Sequence, residues 1–240
     1  MVYDWKAALV FFGSLLVLTW IVRFLIFKIP EYQRMRELNR EADRPKLARD
    51  AYKKIVKQNG KLGLWTNLIF YATVLPFCVS LEARPAWEYV VNAALVLLVF
   101  DFFYYLTHRF VFHGKLLFRV HALHHKALTP TYIDAHYVHP LETFIGLVLF
   151  LGSIPLVALL IGSPLNAVSV AVATLVFTQV NTLNHTYVNL PRFPFKTVDR
   201  ITSLHAAHHV DMQQGNYATL TMLYDWAFGT LEKPVSRTSP

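Results

Sequence analysis

The sequence predicts an all-α integral membrane protein, a helical bundle of about four to five transmembrane helices with a cytosolic histidine-rich helical cap. Three observations lead to this fold class. Only 16% of the 240 residues are charged and 55% are hydrophobic, whereas soluble domains carry about 25% charged residues. Several apolar stretches have the length of membrane-spanning helices. All 11 histidines lie between His108 and His209, close to the predicted ends of those stretches.

Five apolar stretches each approach the roughly 20 residues with which a helix crosses the hydrocarbon core of a bilayer. In chain order they cover residues 7–27, 63–83, 89–107, 143–162 and 167–184. The first has no basic segment before it and no clean small-residue cleavage site, so we interpret it as a retained span rather than a signal peptide. The third and fifth carry polar residues towards their ends, which favours positions that face protein rather than lipid.

The distribution of lysine and arginine predicts the orientation in the membrane. Twenty basic residues fall on one side: eleven in segment 28–62, four in segment 108–142 and five after Asn184. The other side carries only Lys6 and Arg84. By the positive-inside rule, the amino terminus lies outside and the carboxyl terminus lies in the cytosol. A bacterial inner membrane and the endoplasmic reticulum both fit, and because the net charge of +8 follows this topology, we expect no nucleic-acid partner.

The histidines are predicted to lie on the cytosolic side, at the ends of spans or in the segments between them. They are His108, His113, His121, His124, His125, His136, His139, His185, His205, His208 and His209. The pattern His-x-x-His-His occurs twice, at 121–125 and 205–209. Because positions i, i+3 and i+4 of a helix share a face, each copy is expected to direct three imidazoles to one point. The helix is also expected to loosen between His108 and His113, where the third span ends.

This histidine cluster indicates a metal site, because neutral imidazole binds iron, zinc, copper and nickel. Thiolate sites and disulfides are excluded, since Cys78 is the only cysteine. A carboxylate-type di-iron bundle is excluded because the sequence has no Glu-x-x-His. Haem ligation uses one or two histidines per haem, fewer than the clusters offer. A zinc hydrolase site needs only about three ligands together with a general-base carboxylate.

The few carboxylates near the histidines fit a supporting role, in which they orient imidazoles through the ring nitrogen that does not bind metal. They are Asp101, Asp134, Glu142, Asp199, Asp211 and Asp225. Asp101 precedes His108 by seven residues, or two helical turns, and so shares its face. Two interpretations of Asp101 stay open: it orients a ligand, or it is a buried hydrogen-bonding acid within the bundle.

These motifs together resemble the fatty acid hydroxylase superfamily, which includes sterol desaturases, sterol methyl oxidases, carotenoid hydroxylases and sphingolipid hydroxylases. The similar features are His108-Arg-Phe-Val-Phe-His113, His121-x-x-His124-His125, His136-Tyr-Val-His139-Pro-Leu-Glu142, His205-x-x-His208-His209, Asn216-Tyr217 and the run Tyr-Asp-Trp-Ala-Phe-Gly-Thr at 224–230. The resemblance covers roughly residues 97–232. We therefore expect a single membrane domain over 1–240, in which 1–96 form amino-terminal spans and a basic cytosolic segment and 97–232 form the catalytic region.

The resemblance implies two iron ions held by ten histidines, with O2 as cosubstrate. The implied ligands are His108, His113, His121, His124, His125, His139, His185, His205, His208 and His209. One branch of the family has a histidine where this chain has Asn181, so the tenth ligand is His139 or His136, and the His-Pro-Leu-Glu context favours His139. Residues expected to orient the ligands are Asp101, His136, Asn181 and Asp211. Zinc can replace iron in such sites.

The same resemblance implies that the protein hydroxylates or desaturates a lipid, either fatty acyl, sterol or related. No flavin or nicotinamide motif is present, so a separate cytochrome b5-like or ferredoxin-type donor is expected to supply electrons. The basic segment 28–62 either docks that donor or lies on an anionic membrane surface. One alternative is an aldehyde-deformylating or ether-cleaving lipid enzyme on the same scaffold. A non-enzymatic metal carrier is disfavoured, because the spans offer only Arg23 and Asp101 as ionisable groups.

Overall fold

A computed structural model of the protein describes residues 2–186, 190 and 192–234. Its α-helices are α1 (Trp5–Ile26), α2 (Pro30–Leu47), α3 (Asp50–Thr73), α4 (Leu75–Cys78), α5 (Ala86–Thr107), α6 (Phe118–His121), α7 (Pro140–Leu160), α8 (Ala167–Asn184), α9 (Lys196–Val210) and α10 (Leu223–Ala227). A π-helix covers His108–Phe112, and 3-10 turns cover His124–Lys126 and Tyr132–His136. Strands β1 (Val79–Ser80) and β2 (Leu165–Asn166) pair in parallel. The prediction of an all-α fold is confirmed.

Four helices within the described ranges are long and apolar enough to cross a membrane. They are α1, α5 together with the π-helix that extends it to Phe112, α7 and α8. Helix α8 has the predicted bounds, and α1, α5 and α7 begin two or three residues before their predicted starts. The protein is therefore an integral membrane protein, as predicted.

The predicted span at 63–83 is wrong as a single helix. Its apolar residues are divided among the second half of α3, α4 and β1. Helix α3 ends at Thr73, and Pro76 just beyond it lacks the backbone N–H that a continuing helix would use. The first half of α3 carries four lysines of the basic segment, so the helix as a whole is less apolar than the four spans.

Helix α3 nevertheless connects the two ends of the bundle. Its last turn lies beside the start of α1, where the Tyr3 hydroxyl donates a hydrogen bond to the carbonyl of Ala72 at 2.8 Å. Near its first turn, the Tyr52 hydroxyl donates to Asp134 at 2.6 Å, in the loop that carries His136. We call the latter end the histidine end, because the short helical segments that bear the histidines lie there.

The centre of the bundle is formed by α5, α7 and α8, with α1 against α8 and α3 against α7. The rings of Phe150 and Phe177 stack with centroids 4.0 Å apart, and Phe100 approaches Phe177 edge-on at 4.9 Å. In a bilayer, such close packing rather than the hydrophobic effect holds helices together. It fixes the ends of three spans relative to one another, and histidines lie at or just beyond those ends.

The loosening expected at the end of α5 is confirmed. The N–H of His113 donates to the carbonyl of His108, five residues back, at 2.9 Å. This is the wider hydrogen-bond pattern of a π-helix. Five residues of a regular α-helix would leave the two side chains about 140° apart, whereas the π-helix returns them to the same side.

Candidate metal centre

Nine histidines converge at the histidine end in two adjacent groups, which form the candidate metal centre. The five-histidine group consists of His108, His113, His121, His125 and His208. The four-histidine group consists of His124, His185, His205 and His209. Within each group, one ring nitrogen of each residue lies within 4.8 Å of the others, and every ring except that of His113 is buried.

Each His-x-x-His-His motif contributes to both groups, so the prediction that a motif directs three imidazoles to one point is wrong. In the first motif, His121 and His125 belong to the five-histidine group and His124 to the other. The second motif mirrors this division, with His208 alone in the five-histidine group. On a helix, residues four apart diverge by about 40° and adjacent residues by about 100°. In the second motif, which lies within α9, the outer pair therefore faces one point and the remaining ring another, whereas the first motif reaches the same division across the end of α6 and the 3-10 turn that follows.

Four of the five rings in the five-histidine group are oriented by hydrogen bonds at Nδ1. Backbone carbonyls of one carboxyl-terminal loop accept three of them, and these pairs are His108 with Tyr217 at 2.6 Å, His113 with Met212 at 2.6 Å and His208 with Gly215 at 2.8 Å. The carboxylate of Glu142 lies 2.9 Å from Nδ1 of His121. A carbonyl can only accept, so Nδ1 carries the proton and Nε2 presents its lone pair in the neutral ring.

The Nε2 atoms of these oriented rings face one another at close range. Nε2 of His208 lies 3.1 Å from that of His113 and 3.2 Å from that of His108. Two lone pairs at this distance cannot form a hydrogen bond, because neither nitrogen has a proton to donate. A cation between them removes the repulsion, and imidazole Nε2 is a common ligand of transition metals. The residues present therefore fit a bound metal ion.

The protonation state of the histidines also suits metal binding. Burial lowers the pKa of His113 to about 4 and that of His125 to about 3. The pKa values of His121 and His208 are likewise lowered by burial, followed by the neighbouring imidazoles. Imidazoles with such low pKa values are neutral at physiological pH, which is the form that binds metal.

The four-histidine group is oriented less completely. Nδ1 of His185 donates to the carbonyl of Asn181 at 2.9 Å, and its Nε2 lies 3.1 Å from that of His124 and 3.0 Å from that of His205. In the part of the chain that the structure describes, Nδ1 of His124, His205 and His209 has no hydrogen-bond partner. The two groups meet where the rings of His125 and His209 stack at 5.0 Å.

Two buried aspartates hold the loop that orients the five-histidine group. Asp225 accepts from the N–H groups of Tyr217 and Ala218, both at 2.8 Å, and from the Thr230 hydroxyl. Asp101 accepts from three consecutive N–H groups at 219–221, at 2.9 to 3.1 Å. Of the two interpretations of Asp101, the geometry therefore matches the buried hydrogen-bonding acid. It bonds the loop and not an imidazole.

The Asn-Tyr and Phe-Gly-Thr segments shape the same loop. Asn216 adopts a left-handed backbone conformation (φ 62°) and is fully buried, with its amide donating to the Leu204 carbonyl at 2.9 Å. A Cβ on Gly215 would lie 1.8 Å from the carbonyl oxygen of Thr230, so only glycine fits there. The carbonyl of this glycine is the acceptor for His208, so the close approach fixes a ligand.

The remaining residues proposed from the sequence lie outside the two groups. His139 is exposed and caps α7, with its Nδ1 accepting from the Leu141 N–H at 3.2 Å, and His136 is exposed as well. Asp211 is exposed and accepts from the Gln213 N–H. Asn181 contacts His185 through its backbone carbonyl rather than through its side chain. The structure thus brings together nine of the ten expected ligands.

Glu142 has the orienting role that the sequence predicted for the carboxylates near the histidines, although it was not among the four residues selected for that role. The expectation placed it only among several nearby carboxylates. It lies 21 residues from His121, at the start of α7, and is 6% exposed. The available signal was its place in the His-Pro-Leu-Glu run, where His139 drew attention instead.

A cavity of about 330 Å³ reaches the four-histidine group from inside the bundle. Its walls come from α3, α5, α7 and α8, and it ends at His124, His185 and Glu142. Phe100, Phe177 and Leu147 contribute apolar side chains to its lining. Among the described residues, no member of the five-histidine group lines this cavity. The cavity therefore contacts the four-histidine group directly and the five-histidine group only through Glu142, which bonds His121.

Comparisons with known proteins agree with the site. Residues 93–230 match the family described as fatty acid hydroxylase. Curated relatives include methylsterol monooxygenase 1 of Rattus norvegicus, 29% identical over 62% of this chain and 50% of the relative. Very-long-chain aldehyde decarbonylase GL1-11 of Oryza sativa subsp. indica is 32% identical over 61% of the chain and 54% of the relative. Ornithine lipid hydroxylase OlsE of Rhizobium tropici is 28% identical over 68% of the chain and 51% of the relative.

The chain spans about half the length of these curated relatives. No solved structure matches it significantly. The matched region contains all nine converging histidines, Glu142 and both loop aspartates.

Proposed function

Because this chain belongs to the fatty acid hydroxylase family, we propose that it is a membrane-bound di-iron oxygenase that hydroxylates or desaturates a lipid. It would use O2 and electrons from a separate donor. The observation that carries the proposal is the convergence of nine mostly buried histidines in two adjacent groups beside a cavity within the helical bundle. Relatives named as a methylsterol monooxygenase and a lipid hydroxylase support the same reaction class.

The ligands we propose are the nine histidines of the two groups. When bound, a pair of iron ions supplies the activation of dioxygen and the oxidative cleavage of a lipid C–H bond. The chain's own residues keep the imidazoles in place: the 212–217 carbonyls and Glu142 hold the Nδ1 protons, so that Nε2 is free to bind metal. The burial of these rings excludes bulk water from the reacting atoms.

The lipid reaches the centre through the cavity, on the side of His124 and His185. The second carboxylate oxygen of Glu142 is buried at the end of the cavity without a hydrogen-bond partner among the described residues. It is therefore available to a polar atom of the substrate. The substrate class is a lipid with a hydrocarbon segment long enough to enter from the bilayer.

The test is product analysis with purified, anaerobically iron-loaded protein, a reductase system, isotopically heavy O2 and a lipid extract. Hydroxylation predicts products that gain one labelled oxygen atom, and desaturation predicts products that lose two hydrogens. Both should be lost in His208→Ala and kept in His139→Ala, whose exposed ring lies outside both groups. A wild-type protein with full iron content that transforms no lipid would contradict the proposal.

A second candidate function is removal of the aldehyde carbon from a long-chain aldehyde, favoured by the relative named as an aldehyde decarbonylase. The same assay distinguishes it. Deformylation yields a hydrocarbon shorter by one carbon, and the labelled oxygen appears in the released one-carbon product rather than in the lipid.

We place the histidine end in the cytosol and the start of α1 outside. The basic segment lies at the histidine end, as the ion pair between Lys46 and Asp134 requires, and the positive-inside rule assigns that end to the cytosol. Cys78 is buried, so single cysteines can report the topology in intact cells. A membrane-impermeant maleimide should label Val2→Cys and leave Lys57→Cys unlabelled until the cells are opened.

The electron donor is proposed to be a small cytochrome b5-like or ferredoxin-type protein that approaches the histidine end. Arg34, Arg36 and Arg40 of α2 are exposed there and would attract an acidic partner. Electron transfer should then slow as salt rises, because charge steering is screened. A rate independent of salt would assign α2 to the anionic membrane surface instead.

A further inference from the structure

Two glycines lie inside α3, one helical turn apart, at Gly60 and Gly63. Glycine lowers the stability of a helix relative to alanine, so its presence calls for a reason. Neither residue has a positive φ. A Cβ on Gly60 would meet nothing within 4 Å, and one on Gly63 would lie 3.8 Å from Leu147, an ordinary contact. Neither a turn nor close helix packing therefore requires them.

Both glycines line the cavity that leads to the four-histidine group. Positions i and i+3 share a helix face, and this face of α3 runs along the cavity from Asn59 to Asn67. Eight residues correspond to about 12 Å of helix. On the other side, Gly146 of α7 also lines the cavity, and its Cβ would lie 3.9 Å from the ring of Tyr104. Because these three glycines have no side chains, the volume that side chains would fill is part of the cavity.

Glycines elsewhere in the bundle provide the comparison. Membrane helices contain more glycine than soluble ones, so glycine alone indicates nothing. Gly152 of α7 also has nothing within 4 Å of its Cβ and is exposed, as Gly60 is, but unlike Gly60 and Gly63 it does not line the cavity. A side chain at Gly152 would enter the surroundings of the bundle. A side chain at Gly60 or Gly63 would enter the path to the histidines.

We propose that Gly60 and Gly63 determine the bulk of the lipid that reaches the metal centre. The inference rests on the proposed function, and it assigns substrate selection to α3, which lies outside the matched residues 93–230. The occupant is the hydrocarbon part of a lipid that enters beside α3, where Leu64 is 56% exposed.

The polar residues on this wall do not call for a polar occupant. Asn59 donates to the Val138 carbonyl at 2.6 Å and accepts from the Thr143 hydroxyl at 2.9 Å. Asn67 donates to the carbonyl of Gly63, within its own helix, at 2.7 Å. With these hydrogen bonds made inside the protein, the wall can contact an alkyl chain without losing a partner for Asn59.

The experiment uses a fatty acid with a diazirine in its chain, photolysed with the metal-containing protein, and the labelled residues are mapped by peptide mass spectrometry. Wild-type protein should be labelled within 59–67 and 142–147. Labelling there should be nearly unchanged in Gly60→Ala and Gly63→Ala. It should fall by about tenfold or more in Gly60→Leu and Gly63→Leu, because even one methylene group of mismatch in an apolar pocket changes binding by about tenfold or more. Gly152→Leu is the matched control and should label like wild type.

Metal content is measured on every variant and should stay at the wild-type value, which separates blocked access from misfolding. Wild-type labelling spread over the outer faces of α1 and α7, without enrichment at the cavity, would overturn the inference whether or not a variant folds. Equal cavity labelling in the leucine variants would overturn it as well. If the cavity is labelled but the protein binds no metal, the proposed function fails and the assignment of the cavity stands.

Discussion

The five-histidine group and the four-histidine group both consist of imidazole side chains, but they differ in how many of those rings are oriented by a hydrogen bond at Nδ1. In the first, four of the five rings have Nδ1 bonded to a carbonyl or a carboxylate. In the second, only His185 has such a bond among the described residues. The cavity nevertheless reaches the second group and not the first. The more completely oriented group is thus the one that the cavity does not reach, and the less constrained group is the one that would meet the proposed lipid.

The largest effect should come from removing one ligand from either group. His208 and His209 are adjacent in the chain but belong to different groups. Alanine at either position should leave about one metal ion and reduce turnover by more than about 100-fold, since even residues that only orient ligands contribute 10- to 100-fold. The X-ray absorption spectra of the metal retained in the two variants should differ. His208→Ala leaves the four-histidine group intact, whereas His209→Ala leaves the five-histidine group intact.

His139→Ala is the control for this pair, because His139 is exposed and caps α7. It should retain both metal ions and full turnover. If His139→Ala loses a metal ion as His208→Ala does, the division into groups of five and four is wrong and the tenth-ligand expectation returns.

Removing Glu142 should weaken the five-histidine group selectively. In Glu142→Ala, the His121 ring loses its partner at 2.9 Å, and metal affinity should fall by about 10- to 100-fold. Glu142→Gln keeps an oxygen acceptor and should lose less. Competition with a chelator measures the metal affinity of both variants. The control is Glu82→Ala, which removes an exposed ion pair with Arg84. A loss of metal affinity confined to the four-histidine group would contradict the assignment of Glu142 to His121.

A smaller effect is expected from loosening the loop that orients three rings. Asp225→Asn replaces one carboxylate oxygen with an NH2 group, so either the Ala218 N–H loses its acceptor or the Tyr217 N–H and the Thr230 hydroxyl both do. The free energy of unfolding should fall by about 1–3 kcal/mol, with a modest loss of metal from the five-histidine group. Denaturation followed by fluorescence measures the first and metal analysis the second. The exposed Asp211→Asn should change neither.

The smallest effect should come from Asn181→Ala. Asn181 orients His185 through its backbone carbonyl, which alanine retains. Metal content and the spectrum of the four-histidine group should therefore be unchanged. A loss of metal would contradict this account and would mean that the Asn181 side chain, which accepts from the Thr219 hydroxyl at 3.4 Å, also supports the centre.

Local patterns in the sequence predicted the positions of four spans and the nine histidines that converge, because span length, charge bias and histidine spacing are properties of short segments. The division of each motif between two groups was not predictable in this way. It depends on α9 meeting the 121–125 segment, a contact between residues about 80 positions apart. The orienting carbonyls at 212–217 were missed for the same reason, since a backbone acceptor carries no side-chain signature.

The failed span at 63–83 and the position of His139 outside both groups have identifiable physical causes. The span at 63–83 failed because hydropathy alone ignores the break at Pro76 and the lysines that begin α3. The preference for His139 came from its neighbours in the chain, but the side chain of a residue that caps a helix bonds the helix's own N–H groups. Its partner in the same run, Glu142, points inward at the start of α7 and contacts a predicted ligand instead.

The most direct test of the dinuclear site is the metal content per chain of gently purified protein, compared with a His124→Ala, His208→Ala double variant that removes one ligand from each group. The account predicts two equivalents of iron, or of zinc in its place, in the wild type and a loss of both in the double variant. Less than half an equivalent in the wild type, unchanged in the variant and not restored by anaerobic iron loading, would contradict it.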